Sequence, residues 1–276
     1  MTPAPLHLAQ KGDLVARLAT SAVELDAAQH LRYKVFYQEL SACSDQHAHQ
    51  RERDIDDFDA ICDHLLVVRQ TDKITSEIIA VNGGELVGTY RLLPHDKAMA
   101  NGGFYSQKEF DLEPLIARKP NHKFLELGRS CVLKPYRTKP VVELLWQGIW
   151  NYLRLHSLDV MVGCASLEGT DITELELPLS FLQQRFQPPK DWSVVAHDTC
   201  RVSFTLLATD QINDRSALKV LPPLIKGYLR LGAYIGTGAV FDHQFNTTDV
   251  LIILPVSAIN PRYFARFGSP NKKPPV

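Results

Sequence analysis

Apolar residues near the start of the chain recur at roughly helical spacing. Leu18, Val23, Leu25, Ala28, Leu31, Tyr33 and Val35-Phe36 predict a helix over residues 14–38, with Asp26 as the alternative start of a second one. Residues 41–53 are polar and histidine-rich, which predicts a surface loop, and residues 54–63 read as an acidic turn around Phe58. Strand patterns follow at 64–69, 78–81 and 85–93, the last two joined by a Gly83-Gly84 hairpin turn. Asn101-Gly102-Gly103 is a turn. Residues 124–133 predict a strand, and Gly128 inside it predicts a bulge or a close backbone approach. Residues 140–155 carry the strongest helical signal: proline at a first helical position, then Val142, Leu145, Trp146, Ile149 and Leu153 on one stripe. Further on, strands are expected at 160–164, 200–207 and 250–254, and helices at 174–186 and 224–231.

Several strands come in a row before strands and helices alternate, which implies an α/β chain with a mixed sheet. No linker or internal repeat stands out, so residues 1–268 are expected to form one domain. Its C-terminal extension, about 211–268, joins the same core, and a proline-rich tail at 269–276 is expected to be disordered.

Composition narrows the function classes. The 276 residues carry 30 Lys plus Arg against 31 Asp plus Glu, a formal net charge of -1, which excludes a chain built to coat nucleic acid. Five cysteines are scattered without a CxxC, so neither a zinc ribbon nor a dithiol redox site is encoded, and reduced cytosolic thiols are expected. The first ten residues lack the basic and apolar regions of a signal peptide. The most apolar stretch, 221–240, begins Leu-Pro-Pro and contains Lys226 and Arg230, unlike a spanning helix.

Most candidate motifs fail on spacing. His47, His49 and Glu52 share one loop without a further ligand pair, so no metal site is expected. Asp54-Ile-Asp56-Asp57-Phe58-Asp59 places Phe58 where a calcium loop needs oxygen. Gly232, Gly236 and Gly238 do not form a dinucleotide fingerprint. Cys131 in a strand reads as inert filling rather than a nucleophile. What remains is a series of charged residues set among apolar ones: Arg32 with Val35-Phe36, then Asp56, Asp57 and Asp59 around Phe58, then Gly88-Thr-Tyr-Arg91-Leu-Leu-Pro94, then Glu126-Leu-Gly128-Arg129. Buried arginines need partners, so Arg32, Arg91 or Arg129 is expected within ion-pair reach of Asp56, Asp57 or Asp59.

In this order these motifs resemble the acyl-homoserine-lactone synthases of the GNAT superfamily. A closer resemblance is to the ornithine-lipid N-acyltransferases, some labelled haemolysin-like. It is carried by Cys62-Asp-His-Leu-Leu-Val67, Gly102-Gly-Phe104-Tyr105, Glu109-Phe-Asp-Leu112, Glu126-Leu-Gly-Arg-Ser-Cys-Val132 and Phe245-Asn-Thr-Thr-Asp-Val250, and spans about residues 31–268. The resemblance implies a GNAT-like mixed, mainly antiparallel sheet flanked by helices on both faces. It also implies transfer of a 3-hydroxyacyl chain from acyl carrier protein to the α-amine of L-ornithine, giving lyso-ornithine lipid. No cofactor is implied beyond the carrier's phosphopantetheine thioester. The expected location is the cytoplasm, with the inner membrane face as a candidate surface.

The residues are compatible with that chemistry. An ammonium must lose a proton before it attacks a thioester. The period of two places Glu126, Gly128 and Ser130 on one strand face, so Glu126 is the candidate base and a backbone N–H near Gly128 or Ser130 the candidate oxyanion donor. Arg129, the fourth residue of the catalytic group, would tie down the acidic turn. Arg32, Phe36, Asp56, Asp57, Asp59, Arg91 and Phe104 are the candidate substrate-binding residues. Residues 136–142 lack the glycines that cradle a CoA pyrophosphate, and Pro140 has no N–H. A carrier's single phosphodiester asks less of this turn, and Lys134, Arg137 and Lys139 would meet the carrier's acidic face; a solvated basic turn is the alternative. Two rival readings stand beside this one: another amine acceptor, or a non-catalytic lipid-binding protein using residues 221–240.

Overall fold

The structure, a computed structural model, describes residues 6–40, 42–43, 46–75 and 78–263. In chain order the elements are β1 (His7–Lys11), β2 (Leu14–Leu18), α1 (Ala22–Tyr33), α2 (Gln46–Arg51), β3 (Asp63–Gln70), β4 (Ala80–Val81), β5 (Gly84–Pro94), α3 (His95–Ala100), α4 (Glu113–Arg118), β6 (Phe124–Val132), α5 (Lys139–Leu155), β7 (Val160–Glu168), α6 (Ile172–Arg185), α7 (Asp214–Val220), α8 (Pro223–Leu231), β8 (Tyr234–Ile235), β9 (Val240–Asp242) and β10 (Thr247–Pro255). They fall into two compact units. The first holds the described residues up to 101 together with 127–158, and the second holds 102–126 with 159–263.

In the first unit β1, β2, β3 and β5 pair antiparallel in that order, and β4 pairs with β5. The second half of β6 lies beside β5. Leu133 N donates to Val87 O, Gly88 abuts Cys131 and Arg91 abuts Gly128, so the two strands run antiparallel. The continuous apolar run of β3 has a simple cause, because the sheet is covered on both faces. Leu65 meets α5 at Gly148, where an added Cβ would lie 3.0 Å from the Leu65 side chain. Leu66 and Val68 point the other way, into a cluster with Ala27, Ala28, Leu31 and Val35 of the α1 segment, Leu86 and Cys131.

In the second unit Phe124–Glu126 of β6 pair parallel with Val160–Val162 of β7, and this ladder has three pairs. β7 pairs antiparallel along its whole length with β10, which also pairs with β8 and β9. The sheet is thus mixed and mainly antiparallel, as expected. Residues 250–254 lie within β10, and β6 is flanked by β5 in one half and β7 in the other.

Several local expectations are corrected. Residues 14–18 are a strand, because Gly12 (φ 61°) closes a hairpin that pairs Lys11 with Leu14. The helix starts at Ser21, whose hydroxyl accepts from Glu24 N, and not at Asp26; beyond Tyr33 it widens into a π-helical turn over Lys34–Glu39. The 41–53 loop contains α2. Residues 200–207 alternate but form no strand, since only Arg201 bridges Val240 and Val202 N donates to Ala239 O. The left-handed residue in β6 is Arg129 (φ 52°), not Gly128, where an added Cβ would meet Arg91 only at ordinary contact distance, 3.7 Å. The 221–240 stretch divides among α8, β8 and the start of β9, with Leu221, Ile225, Tyr228 and Ile235 buried. No helix among the described residues is long and apolar enough to cross a membrane. The tail at 269–276 lies outside the described residues.

Two glycines test this reading of the hairpins. At Gly84 (φ 144°) a Cβ would sit 2.1 Å from the Arg69 carbonyl oxygen, whereas at Gly12 nothing lies within 4 Å. Gly84→Ala should lose about 3 kcal/mol or more, and Gly12→Ala only the left-handed penalty of roughly 1 kcal/mol. Urea unfolding midpoints of the two variants compare them; equal losses would contradict the assignment.

Candidate active site

Three guanidinium groups and three carboxylates share one patch of the first unit, buried except for the partly exposed Arg129 and Asp56. Arg32, 1% exposed, sends two nitrogens to Asp59, at 2.7 Å to Oδ2 and 2.9 Å to Oδ1. Its Nε lies 2.7 Å from Asp54 Oδ2, a charge contact without hydrogen-bond alignment. Arg91 reaches Asp56 Oδ1 at 2.5 Å and Asp59 Oδ1 at 3.3 Å. Arg129 reaches Asp54 at 3.2 Å and Asp56 at 3.0 Å. All three arginines therefore meet the acidic turn, as expected from their apolar surroundings. The balance of three charges against three is what makes burial tolerable.

The turn itself is self-capped: Asp56 accepts from Phe58 N, and Asp56 N donates to Asp59. Gln29 donates to Asp59 and Tyr37 to Asp54. Burial raises the Asp59 pKa, but Arg32, Arg91 and Gln29 outweigh it and hold the carboxyl well below the usual range. Asp57 is exposed and stands outside the network. Asp54, 1% exposed, was not among the sequence candidates, although it opens the same acidic segment. Phe36 is half-buried against the α1 cluster, and Ser130 is half-buried. Burial pushes the Cys131 thiol far up, in keeping with inert filling.

Glu126 belongs to the second unit and is 5% exposed. Its carboxylate accepts from Tyr105 N at 2.7 Å on Oε2 and from Ser106 N at 2.8 Å on Oε1, and the Ser106 hydroxyl also donates to Oε1. These donors come from a single 3-10 turn, Tyr105–Lys108, that follows the left-handed Gly102 and Gly103. Phe104, 2% exposed, packs on Phe124 with ring centroids 6.4 Å apart. Glu126 is thus a buried carboxylate whose ionised form is favoured by three donors.

Comparison with known proteins settles the family. Residues 31–147 match the model of the acetyltransferase (GNAT) domain. The chain is 49% identical over 257 residues to an L-ornithine N(alpha)-acyltransferase of Agrobacterium fabrum, covering 93% of this chain and 86% of that protein. It is 48% identical over 267 residues to another of Rhizobium meliloti, covering 97% and 88%. The chain belongs to the L-ornithine N(alpha)-acyltransferase family. It is an N-acyltransferase. A solved structure of the AHL synthase LasI is similar at 13% identity, with a TM-score of 0.47 and coverage of 94% of this chain and 97% of that one.

The acyltransferase's basic turn is partly engaged. Arg137 grips Glu39 through two nitrogens, at 2.5 and 2.8 Å, and donates to Val132 O. Lys139 lies 3.8 Å from Glu143, and Lys134 is exposed.

One group went unseen in the sequence. Glu126 is opposite Val162, and Val162, Cys164 and Ser166 alternate onto one face of β7, opposite Ile253, Leu251 and Asp249 of β10. Glu126, Cys164 and Asp249 therefore share a sheet face. Glu109 joins them: the ligand atoms of Glu109, Cys164 and Asp249 all lie within 4.8 Å of one another, close enough to hold a metal ion. The protein's own protons also suffice to link them. Cys164 Sγ donates to Glu109 at 3.2 Å, and burial followed by the two carboxylates pushes this thiol well up. Burial and then Glu109 push Asp249 up to about 7, against hydrogen bonds from Ser166 and Thr247.

The Asp249 shift sets a pH dependence. A carboxyl raised from 3.8 to about 7 binds its proton more tightly when folded, so its contribution is complete below pH 4 and lost as pH rises through 7. Asp249→Asn should remove a loss on the order of a few kcal/mol across that window. Unfolding midpoints from pH 4.5 to 8 should show the wild-type advantage over the variant shrinking with pH. A difference that stays constant would sink the assignment.

Proposed function

We propose that this acyltransferase transfers a 3-hydroxyacyl chain from acyl carrier protein to the α-amine of L-ornithine, giving lyso-ornithine lipid. The acceptor is taken from the names of the relatives, all L-ornithine N(alpha)-acyltransferases. The observation that carries the mechanism is Glu126, a buried carboxylate held in one orientation by Tyr105 and Ser106. It takes a proton from the α-ammonium, directly or through one water. The amine nitrogen then bonds to the thioester carbon, and amides beside the left-handed Arg129, at Gly128 or Ser130, stabilise the oxyanion. The C–S bond breaks, the carrier's thiolate leaves and takes the proton held by Glu126, and the second proton shed by the nitrogen as it becomes an amide passes to water. No cofactor takes part beyond the carrier's phosphopantetheine.

The donor assignment draws on the turn before α5, which has no glycine and has Pro140 where an amide would be needed. Exposed Lys134 and Lys139 are free to face an acidic carrier more readily than Arg137, which a partner would share with Glu39. Asp56, Asp57 and Phe36 are assigned to the acceptor and acyl contacts. Arg32, Arg91 and Asp59 support them from buried positions, and Phe104, buried against Phe124, is assigned to the substrate as well. The proposed product is an amphiphile, which supports a reading in which the enzyme works in the cytoplasm at the inner membrane face.

Thiol release from 3-hydroxyacyl carrier protein should require L-ornithine. Release with another amino acid at equal rate would replace the acceptor, and no release with any amine would overturn the reaction. Glu126→Gln should slow turnover by roughly two to four orders of magnitude. Part of the activity should return at higher pH, where more amine is already neutral, while carrier binding stays near normal. Gln turns an NH2 toward one of the amide donors, so the melting temperature is measured alongside. A well-folded variant with normal turnover would leave water as the base.

A further inference from the structure

Ser106 is 1% exposed, yet its side chain is polar and its position in the 3-10 turn is fixed. Its backbone carbonyl is used by the turn, accepting from Glu109 N and Phe110 N. Its amide and its hydroxyl both converge on Glu126 Oε1. Two donors from one residue on one oxygen do more than neutralise charge. They stop rotation of the carboxylate about its last torsion, and they fix the direction of Oε2, which Tyr105 N holds from the other side. The approach to this turn is equally constrained: a Cβ at Gly103 would lie 2.4 Å from Gln107 Oε1, and that same oxygen accepts from Phe104 N.

We infer that Ser106 is a positioning residue for the acyl transfer, holding Glu126 ionised and aimed so that Oε2 receives the acceptor's proton. The inference rests on the reading of Glu126 as the base, and goes beyond it by naming the group that sets that base. A hydroxyl donor favours the charged carboxylate, so its removal should raise the proton affinity of Glu126 and loosen its aim. The Ser106 amide alone leaves Oε1 with one of its two donors from this residue, so the carboxylate is held less firmly.

The test uses the full chain and two readouts. The first is titration of the Glu126 carboxyl carbon by NMR, which needs no substrate. The second is the pH profile of kcat/KM for thiol release. In Ser106→Ala the Glu126 titration should move up by about one pH unit, and the acid limb of the rate profile should move with it. The rate should fall roughly several-fold at neutral pH through lost aim alone, and further on the acid side, where the raised Glu126 carboxyl takes up its proton first. Ser106→Thr retains the hydroxyl and should titrate near wild type. In a Glu126→Gln background, Ser106→Ala should change the rate less than twofold, since there is no base left to position. An unmoved Glu126 titration in a folded Ser106→Ala protein overturns the inference, as does a rate loss equal at every pH and repeated in the Gln background. A moved titration with an unmoved rate profile upholds the hold of Ser106 on the carboxylate and removes Glu126 from the chemistry.

Discussion

Buried charge in the first unit is tolerable only as a balanced set. Arg32, Arg91 and Arg129 share Asp54, Asp56 and Asp59 so that each guanidinium touches two carboxylates. Removing one member leaves the others desolvated without compensation, which is costly in a way that surface pairs are not. The network joins α1, the acidic turn, β5 and β6, elements distant in sequence. It ties β6 to these elements by side-chain ion pairs, and it does so at a residue, Arg129, whose backbone is left-handed.

β6 is held differently in its two halves. The Arg129 half is tied by side-chain ion pairs, and the Glu126 half is tied by amides and a hydroxyl from the 105–106 turn. The parallel ladder to β7 has only three pairs and ends at Glu126. A strand whose parallel ladder ends at a buried carboxylate needs other restraints there. Tyr105 and Ser106 provide them, so the Glu126 carboxylate is held in one orientation.

Much of this was legible from the chain because charge among apolar residues is a strong local signal. Arg32, Arg91, Arg129 and the Asp56–Asp59 segment announce a buried network in the sequence itself, since arginines in such settings need partners. The strands 64–69 and 85–93 and the helix 140–155 were equally plain from their periodicity. The failures have physical causes. Leu14–Leu18 carries few residues, and its apolar side chains also fit a helical stripe; only pairing across the Gly12 hairpin decides for a strand. Residues 200–207 alternate well but find no neighbouring ladder. Glycine at 128 pointed to an irregular backbone, but the left-handed residue is Arg129, which makes two ion pairs. Glu109, Cys164 and Asp249 come from three separate segments, and Ser106 has no charge to mark it, so neither could be found by pattern.

The acid-lined sheet face of the second unit bears on chemoselectivity. An enzyme that delivers acyl groups to nitrogen must keep its own sulfur from intercepting them, because a thiolate is the stronger nucleophile toward an activated acyl carbon. All five cysteines are unbridged. Cys131, Cys164 and Cys200 are each pushed up by burial, and for Cys164 the carboxylates of Glu109 and Asp249 add to the effect. Held as thiols, they are poor competitors for an acyl chain. The crowding of carboxylates that works against stability at neutral pH thereby also keeps Cys164 a thiol.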